Sequence, residues 1–259
     1  MIFGLLRIKN EARWIKSVIE AILPICEDVF VFDDHSNDGT PEVCQRIDKV
    51  HVIDSPFAGL DETRDKNYLL ARALAQVPDS CINAASPYWA LAIDGDELLE
   101  QDSFRVLSDA LRTQSNAFRL PVRYLWDSDM SQFESTRQVR VDGVYGRFTR
   151  PSVFRLMSRD LAYQSTSAGG NFHCSSVPLP LLHTAIETIP APLWHLGYNE
   201  RADRIRKYHW YNHIDPQNGF EDEYRHCVQG DIPEVPAEMK LRHAGPLRLV
   251  TMPGRIHVP

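Results

Sequence analysis

The sequence has no long hydrophobic run and only five cysteines. No stretch approaches the roughly 18 apolar residues that a membrane-spanning helix needs, so we expect no membrane span. The apolar start has no basic region before it and no cleavage site, and we do not expect it to be a signal peptide. The cysteines are scattered and form no CxxC pair, which favours a reducing cytoplasm over a disulfide framework. The sequence therefore predicts a cytoplasmic protein, for which peripheral contact with a membrane stays open.

Basic residues are also fewer than acidic residues. The 259 residues include 28 Lys and Arg against 35 Asp and Glu, which gives a formal net charge of −7. A net acidic chain is a poor general binder of polyanions, so we expect no nucleic-acid partner. Hydrophobic residues make up 43% and charged residues 24%, as in ordinary globular proteins.

Short apolar runs alternate along the first half with segments whose apolar residues recur at helical spacing. The predicted strands are 2–8, 29–32, 50–53, 88–93 and 117–124. The predicted helices are 14–22, one that begins with Thr40 as its N-cap, 61–77 and 102–111. Strands that alternate with helices favour parallel pairing through right-handed crossovers. The sequence therefore predicts an open α/β sheet.

The pattern is looser after about residue 125. The segment 126–150 is polar and predicts a loop, 152–157 predicts a strand, and 200–213 predicts a charged and aromatic helix. Prolines recur from Gly230 onward, which favours an extended tail on the surface.

Two acidic clusters follow predicted strands. Asp33-Asp34 comes after the second strand, and Asp94-Gly95-Asp96-Glu97 comes after the fourth. Ligands of open α/β sheets bind at the carboxyl ends of the strands, so these clusters are candidate ligand positions. Two carboxylates one residue apart suit Mg²⁺ or Mn²⁺, and such an ion could neutralise a diphosphate leaving group. A D-x-D pattern alone is weak evidence, because a second copy occurs at Asp127-Ser128-Asp129.

Four segments, taken together, resemble the family 2 glycosyltransferases. Residues 9–12 (KNEA) are similar to the family's KNEE/RNEA start, and residues 31–40 (VFDDHSNDGT) to its V-x-D-D-x-S-x-D-G-T element. Residues 94–97 (DGDE) match its metal-binding D-x-D element. Residues 194–198 (WHLGY), followed by a helix rich in Lys, Arg and Tyr, resemble a segment of its lipopolysaccharide-core-glucosyltransferase-like members. The resemblance covers residues 1–110 closely and 150–215 loosely.

The resemblance implies a GT-A glycosyltransferase fold, which is a Rossmann-like, mostly parallel open α/β sheet flanked by helices. It implies a metal-dependent transfer, with inversion, of a sugar from a nucleotide-diphosphate-sugar donor to a hydroxyl acceptor. A UDP-sugar is the favoured donor, Mn²⁺ or Mg²⁺ is the cofactor, and a carbohydrate, a lipid-linked compound or a small molecule is the acceptor. Three parts are expected: a nucleotide-sugar-binding half (1–125), an acceptor-binding and metal-completing half of the same domain (126–215) and an extended C-terminal tail (216–259).

The resemblance also implies roles for individual residues. Glu11 and Asp34 would contact the base or ribose of the donor, and Arg64 and Lys66 would lie near its diphosphate. The full donor-binding set is Lys9, Glu11, Asp34, Arg64, Lys66 and Asp94. The metal ligands would be Asp94, Asp96 and His195.

The general base that deprotonates the acceptor hydroxyl is harder to assign. Relatives have His-Glu ahead of the metal-ligating His, whereas the matching place here is His173-Cys174. The candidate bases are His173, Asp127, Asp129 and Glu134, and a retaining course stays open.

The sequence leaves two alternative functions open. The chain could be a non-catalytic or degenerate nucleotide-sugar-binding domain, which the cysteine at 174 supports. A sugar-phosphate nucleotidyltransferase is less favoured, because it needs a glycine-rich phosphate loop after the first strand and residues 7–11 (RIKNE) contain no glycine.

Overall fold

The computed structural model describes residues 1–82, 84, 87–128, 136–165, 174–215, 224–235 and 239–246. The strands in these ranges are β1 (Ile2–Ile8), β2 (Asp28–Asp33), β3 (Val50–Asp54), β4 (Trp89–Asp94), β5 (Glu97–Leu99), β6 (Ala117–Tyr124), β7 (Thr136–Arg140), β8 (Thr149–Arg155), β9 (Glu187–Thr188), β10 (Leu193–His195) and β11 (Leu241–Pro246). The α-helices are α1 (Ile15–Ile22), α2 (Thr40–Cys44), α3 (Glu62–Leu74), α4 (Ser103–Ala110) and α5 (Arg201–Ile214). Short 3₁₀ turns lie at Asp79–Cys81, Leu181–His183 and Arg225–Val228.

One large sheet organises the chain. Its strand order is β3-β2-β1-β4-β8-β6-β10-β5, with β9 beside β6. The first four strands are parallel, β8 runs antiparallel to β4 and β6, and β10 runs parallel to β6. The predicted α/β fold with a mostly parallel sheet flanked by helices is therefore confirmed. Because β2 and β4 flank β1, the ends of these three strands form one edge.

The core lies on both faces of the sheet. Leu6 and Ile8 of β1 pack in one cluster with helices α1 and α4, whereas Phe3 and Leu5 pack in the other with helix α3. Successive side chains of a strand point to opposite faces, so β1 needs apolar residues at nearly every position. This requirement explains the continuous apolar run that predicted the strand.

Most predicted elements of the first half are present, with small shifts at their ends. Strands β1 and β6 have the predicted bounds, and α3 begins after Asp61, whose side chain accepts the backbone N–H of Arg64. Thr40 is not the N-cap of α2. Gly39 takes that position with a φ of 91°, a value that favours glycine. Thr40 is instead the first helical residue, and its hydroxyl oxygen accepts the backbone N–H of Glu11 at 2.8 Å.

The second half differs more from prediction. The predicted loop at 126–150 contains strand β7, which pairs antiparallel with β11. The surface tail predicted from Gly230 onward is wrong for Val235, which is buried in one cluster with Trp126 and Cys227. Both differences have one cause: the partner of each segment is about 100 residues away, and single-sequence patterns report only local periodicity.

The described residues include no helix that is long and apolar enough to cross a bilayer. The longest of the described helices, α5, has 14 residues.

A buried arginine ties helix α5 to the segments around it. Arg204 is 1% exposed and donates to both carboxylate oxygens of Asp231, to Asp127 at 2.9 Å, and to the carbonyls of Tyr198 and Asn199. All three guanidinium nitrogens of Arg204 therefore donate to oxygen atoms. Removal of this side chain would leave the buried Asp231 carboxylate without its main cation.

We expect Arg204→Met to lower the free energy of unfolding by about 3–5 kcal/mol, the cost of breaking a buried ion pair. Urea unfolding followed by circular dichroism measures this change. The matched control is Arg206→Met, because Arg206 lies on the same helix and pairs with Asp203 while its side chain is 69% exposed. The control should cost less than about 1 kcal/mol. Equal losses in the two variants would contradict the structural role of Arg204.

Candidate active site

Four distant segments of the chain meet at the carboxyl ends of β1, β2 and β4. The turn after β1 contacts the turn after β2 through three backbone N–H groups: those of Asn10, Glu11 and Ala12 donate to Ser36, Thr40 and Asp38. The segment after β10 joins them, because the backbone N–H of Leu196 donates to the carbonyl of Asp96 at 2.8 Å. These are the same four segments on which the family resemblance rests.

Glycine permits the close approach of the β1 and β4 turns. A Cβ at Gly95 would lie 2.8 Å from Cγ of Glu11 and 2.9 Å from Cγ2 of Ile8. Glu11 therefore lies directly over the Asp94-Gly95-Asp96 turn. Partial burial, together with the nearby Asp96 carboxylate, raises the pKa of Glu11 to about 8.

Asp34 belongs to a chain of ion pairs at the end of β1. Its Oδ2 accepts Arg7 at 2.9 Å and lies 3.5 Å from Nζ of Lys9. Arg7 also donates to the buried carboxylate of Asp65, whose other oxygen accepts Arg64. Arg64 further donates to the carbonyls of residues 58 and 59. The structure thus places Lys9 and Asp34 at the strand ends as predicted, while Arg64 is held by Asp65.

Asp94 faces a cation that the sequence analysis missed. Its Oδ2 accepts Nη1 of Arg150 at 2.6 Å, and the other end of the guanidinium pairs with Glu97. Glu97 is 1% exposed and also accepts the backbone N–H of Asp94. Burial raises the pKa of Glu97 to about 7, although Arg150 opposes this shift. Arg150 therefore ties Asp94 to the sheet, because it reaches both carboxylates from strand β8.

Asp96 is buried between a lysine and a histidine. Its Oδ2 lies 2.8 Å from Nζ of Lys207 on helix α5, and its Oδ1 lies 3.9 Å from Nε2 of His195. Burial would raise the pKa of Asp96, but His195 and Lys207 hold that pKa well below its usual range. Gly197 leaves room for this arrangement, because a Cβ there would collide with the Asp96 carboxylate and with Lys207.

His195 lies in a cluster of three aromatic rings. Its ring stacks on those of Tyr124 and Tyr198, with centroids 5.1 and 5.0 Å away, and the two tyrosine rings are 5.8 Å from each other. Burial lowers the pKa of His195 to about 4, although Asp96 opposes this shift, so the ring is neutral near pH 7. The backbone N–H of Gly197 donates to Nδ1, which leaves the ring proton on Nε2, the nitrogen that faces Asp96.

Each of the three predicted metal ligands has a protein partner in the structure. Asp94 pairs with Arg150, Oδ2 of Asp96 accepts Lys207, and Nδ1 of His195 accepts the backbone N–H of Gly197. The described part of the chain contains no group of three His, Cys, Asp or Glu residues suited to a metal. The assignment of Asp94, Asp96 and His195 as metal ligands stays a prediction.

Lys66 lines a small cavity next to Asp94 and also interacts with Cys174. The cavity has a volume of about 50 Å³ and is lined by Arg7, Lys66, Asp94 and Arg150, among others. Lys66 pairs with Glu62 at 2.7 Å and interacts with Cys174. Burial raises the pKa of the Cys174 thiol to about 11, so it is protonated near pH 7 and unsuited to act as a base.

One of the four candidate bases, Asp127, lies among the described residues. His173, Asp129 and Glu134 lie outside the described residues. Asp127 is described, and its Oδ1 pairs with the buried Arg204 at 2.9 Å. Its backbone has a φ of 48°, and its N–H donates to the carbonyl of Asn199. Asp127 is thus anchored to the start of helix α5.

Sequence reasoning missed Arg7, Glu97, Arg150 and Lys207. Arg7 carried a visible signal, since it is the one charged residue in the apolar run of β1. Lys207 lay inside the segment that supported the resemblance, but no role was assigned to it. Arg150 gave no signal, because only the pairing of β8 with β4 and β6 brings it to Asp94.

No protein-family model matches the chain, and no curated protein matches it. Among solved structures, it is similar to glucosyl-3-phosphoglycerate synthase from Mycobacterium tuberculosis in complex with Mn²⁺, UDP-glucose and phosphoglyceric acid. The identity is 21% over 48% of this chain and 44% of the synthase, with a TM-score of 0.34. It is also similar to 4-diphosphocytidyl-2C-methyl-D-erythritol synthase, with 10% identity over 73% of this chain and 88% of the other, and a TM-score of 0.40. The match spans less than half the length of the first synthase, and similarities of this extent do not establish the activity of this chain.

We expect Lys207→Met to raise the affinity of the protein for Mn²⁺ at least tenfold, because the ammonium no longer competes for Asp96. Two unit charges about 4 Å apart interact by about 1–4 kcal/mol, and tenfold corresponds to about 1.4 kcal/mol. Electron paramagnetic resonance of free Mn²⁺ measures the change. Lys16→Met, on the exposed side of α1, is the matched control and should leave the affinity within twofold. Tight binding of Mn²⁺ by the unaltered protein would show that Lys207 does not block the ion.

Proposed function

We propose that this chain is a glycosyltransferase that moves a sugar from a nucleotide-diphosphate-sugar donor, with a UDP-sugar favoured, to a hydroxyl acceptor. One observation carries the proposal: the four segments that resemble family 2 glycosyltransferases, spread over residues 9–198, contact one another at a single edge of the sheet. Convergence of this kind is not required by the packing of an α/β sheet. It also occurs where ligands bind such sheets, beside the strand at which the order reverses.

In this proposal, the nucleotide-sugar donor binds beside Asp34, Glu11 and the Asp94-Gly95-Asp96 turn. The Asp34 carboxylate at the end of β2 accepts hydrogen bonds from the ribose or base, and Glu11 lies over the Asp94-Gly95-Asp96 turn. Lys66 and Arg150 line the small cavity beside Asp94, and they supply positive charge for the diphosphate. Charge that develops on the departing diphosphate is stabilised by such pre-positioned cations.

The divalent cation that the resemblance implies has no step in this proposal. Lys207 already supplies positive charge at Asp96, where the resemblance places the ion. The expectation of Mn²⁺ or Mg²⁺ therefore stays a prediction, to be decided by whether nucleotide binding requires the ion.

The acceptor would approach from the side of β6 and β10. Tyr124 and His195 are partly exposed there and pack on the buried Tyr198, and aromatic faces suit the apolar faces of sugar rings. His195 is a weak base with a pKa of about 4. The base is therefore assigned to the predicted group of His173, Asp127, Asp129 and Glu134, and inversion is the expected course.

A non-catalytic nucleotide-sugar binder is the second candidate. The observation that favours it is the protonated Cys174 thiol, which stands where relatives have a glutamate. Purified protein incubated with UDP-, GDP-, CDP- and dTDP-sugars separates the two candidates. Release of the nucleoside diphosphate, measured by chromatography with and without Mn²⁺, supports the enzyme. Nucleotide binding without release under any condition supports the binder, and the absence of binding contradicts both.

We expect Asp34→Asn to weaken the binding of the preferred nucleoside diphosphate at least tenfold, because the amide no longer accepts at both oxygens. The thermal shift caused by the nucleotide measures this, since ligand that binds only the native state raises its stability. Asp54→Asn is the matched control, because Asp54 ends the neighbouring strand β3 and is exposed. The control should keep the full shift. An unchanged shift in Asp34→Asn would remove Asp34 from the donor site.

A further inference from the structure

A second, larger cavity lies beside strand β6, next to the segment that ends in Tyr124. It has a volume of about 240 Å³ and lies between β6, the β7–β11 ribbon and residues 145–149. Four arginines line it: Arg123, Arg140, Arg147 and Arg242. We call it the arginine cavity. None of its described lining residues is acidic, although the chain as a whole has a net charge of −7.

Three of the four arginines have no carboxylate partner among the described residues. Arg140 is neutralised, because it forms a two-point pair with Asp142 and donates to the carbonyl of His226. Arg123, Arg147 and Arg242 form no such pair, and Arg123 is held with its guanidinium 5.1 Å from the ring of Trp194. Arg147 and Arg242 are exposed and Arg123 is partly buried, so an anion that enters from solvent meets three cations that no described carboxylate neutralises.

The size and charge of the cavity select the class of ligand. Its volume is just below the roughly 300 Å³ at which small-molecule pockets begin, so it suits a headgroup rather than a whole substrate. Three positive charges exceed what one carboxylate neutralises. A phosphate group carries about −1.5 to −2 at neutral pH, and its oxygens match the guanidinium fork.

The cavity is connected to the candidate active site through one aromatic ring. Tyr145 and Phe148 line the cavity, and both contact Tyr124, with centroids 4.8 and 6.1 Å away. Tyr124 also stacks on His195, whose Nε2 lies 3.9 Å from Oδ1 of Asp96. Ring contacts through Tyr124 thus link two residues of the cavity to the candidate active site.

We propose that the arginine cavity binds the phosphate of a phosphorylated acceptor, so that a hydroxyl of the same molecule lies near His195. This role rests on the proposed function. The phosphate comes either from a soluble phosphorylated compound or from a lipid headgroup, since the cavity recognises the same group in both.

The test compares two triple variants that each remove three positive charges. One replaces Arg123, Arg147 and Arg242 by Gln, and the control replaces the exposed Arg46, Arg105 and Arg112 by Gln. Isothermal titration with glycerol 3-phosphate, and with glycerol as the uncharged probe, measures the soluble arm. Flotation with vesicles of phosphatidylcholine, with or without phosphatidic acid, measures the lipid arm. Thermal shift with UDP, GDP, CDP and dTDP follows the donor site in every variant.

We expect the unaltered protein to bind one phosphorylated probe but not its uncharged counterpart. The cavity variant should bind that probe at least tenfold more weakly, while the control stays within twofold and nucleotide binding is unchanged in both. The arm that responds identifies the source of the phosphate.

Equal weakening in the two variants, or no binding of either phosphorylated probe, would overturn the proposal. Loss of nucleotide binding in the cavity variant alone would assign the arginines to the donor and also overturn it. If a probe binds but no nucleotide does, the proposed function fails and the acceptor role fails with it.

Discussion

The close approach of two backbone turns governs this site. The turn after β1 places Glu11 against the turn after β4, and only a residue without a Cβ at position 95 leaves space for it. The same turn donates three backbone N–H groups to the segment after β2. Displacement of the β1 turn would therefore move Glu11, Asp34 and the D-x-D carboxylates relative to one another. The parallel register of β1 with β2 and β4 fixes this approach, because it brings the three strand ends to one level.

Three carboxylates of the site are each paired with a cation. Arg7 pairs with Asp34, Arg150 with Asp94, and Lys207 with Asp96, while the chain as a whole is acidic. Arg7 and Arg150 also line the small cavity beside Asp94, together with Lys66. The arginine cavity differs, because three of its cations lack carboxylate partners among the described residues.

The second half of the chain completes the site from one side. Strands β6, β8 and β10 deliver Tyr124, Arg150 and His195, and helix α5 delivers Lys207. Helix α5 is held in turn by Arg204, which links it to Asp127 and Asp231 through buried hydrogen bonds. Because Arg204 and Lys207 both lie on α5, the hydrogen bonds of Arg204 also fix the position of Lys207.

The sequence by itself determined the α/β sheet and the acidic residues at its edge. Local signals were enough for that, since the apolar runs of β1 and β4 and the carboxylates that follow them are contiguous in the chain. Only the tertiary structure decided which charge each carboxylate meets. Arg150 reaches Asp94 through the antiparallel pairing of β8, and Lys207 reaches Asp96 across 111 positions of sequence. The β7–β11 ribbon and the burial of Cys227 also depend on partners far along the chain. Periodicity and spacing carry no information about such contacts, because they report only neighbours within about one or two turns of helix or a few residues of strand.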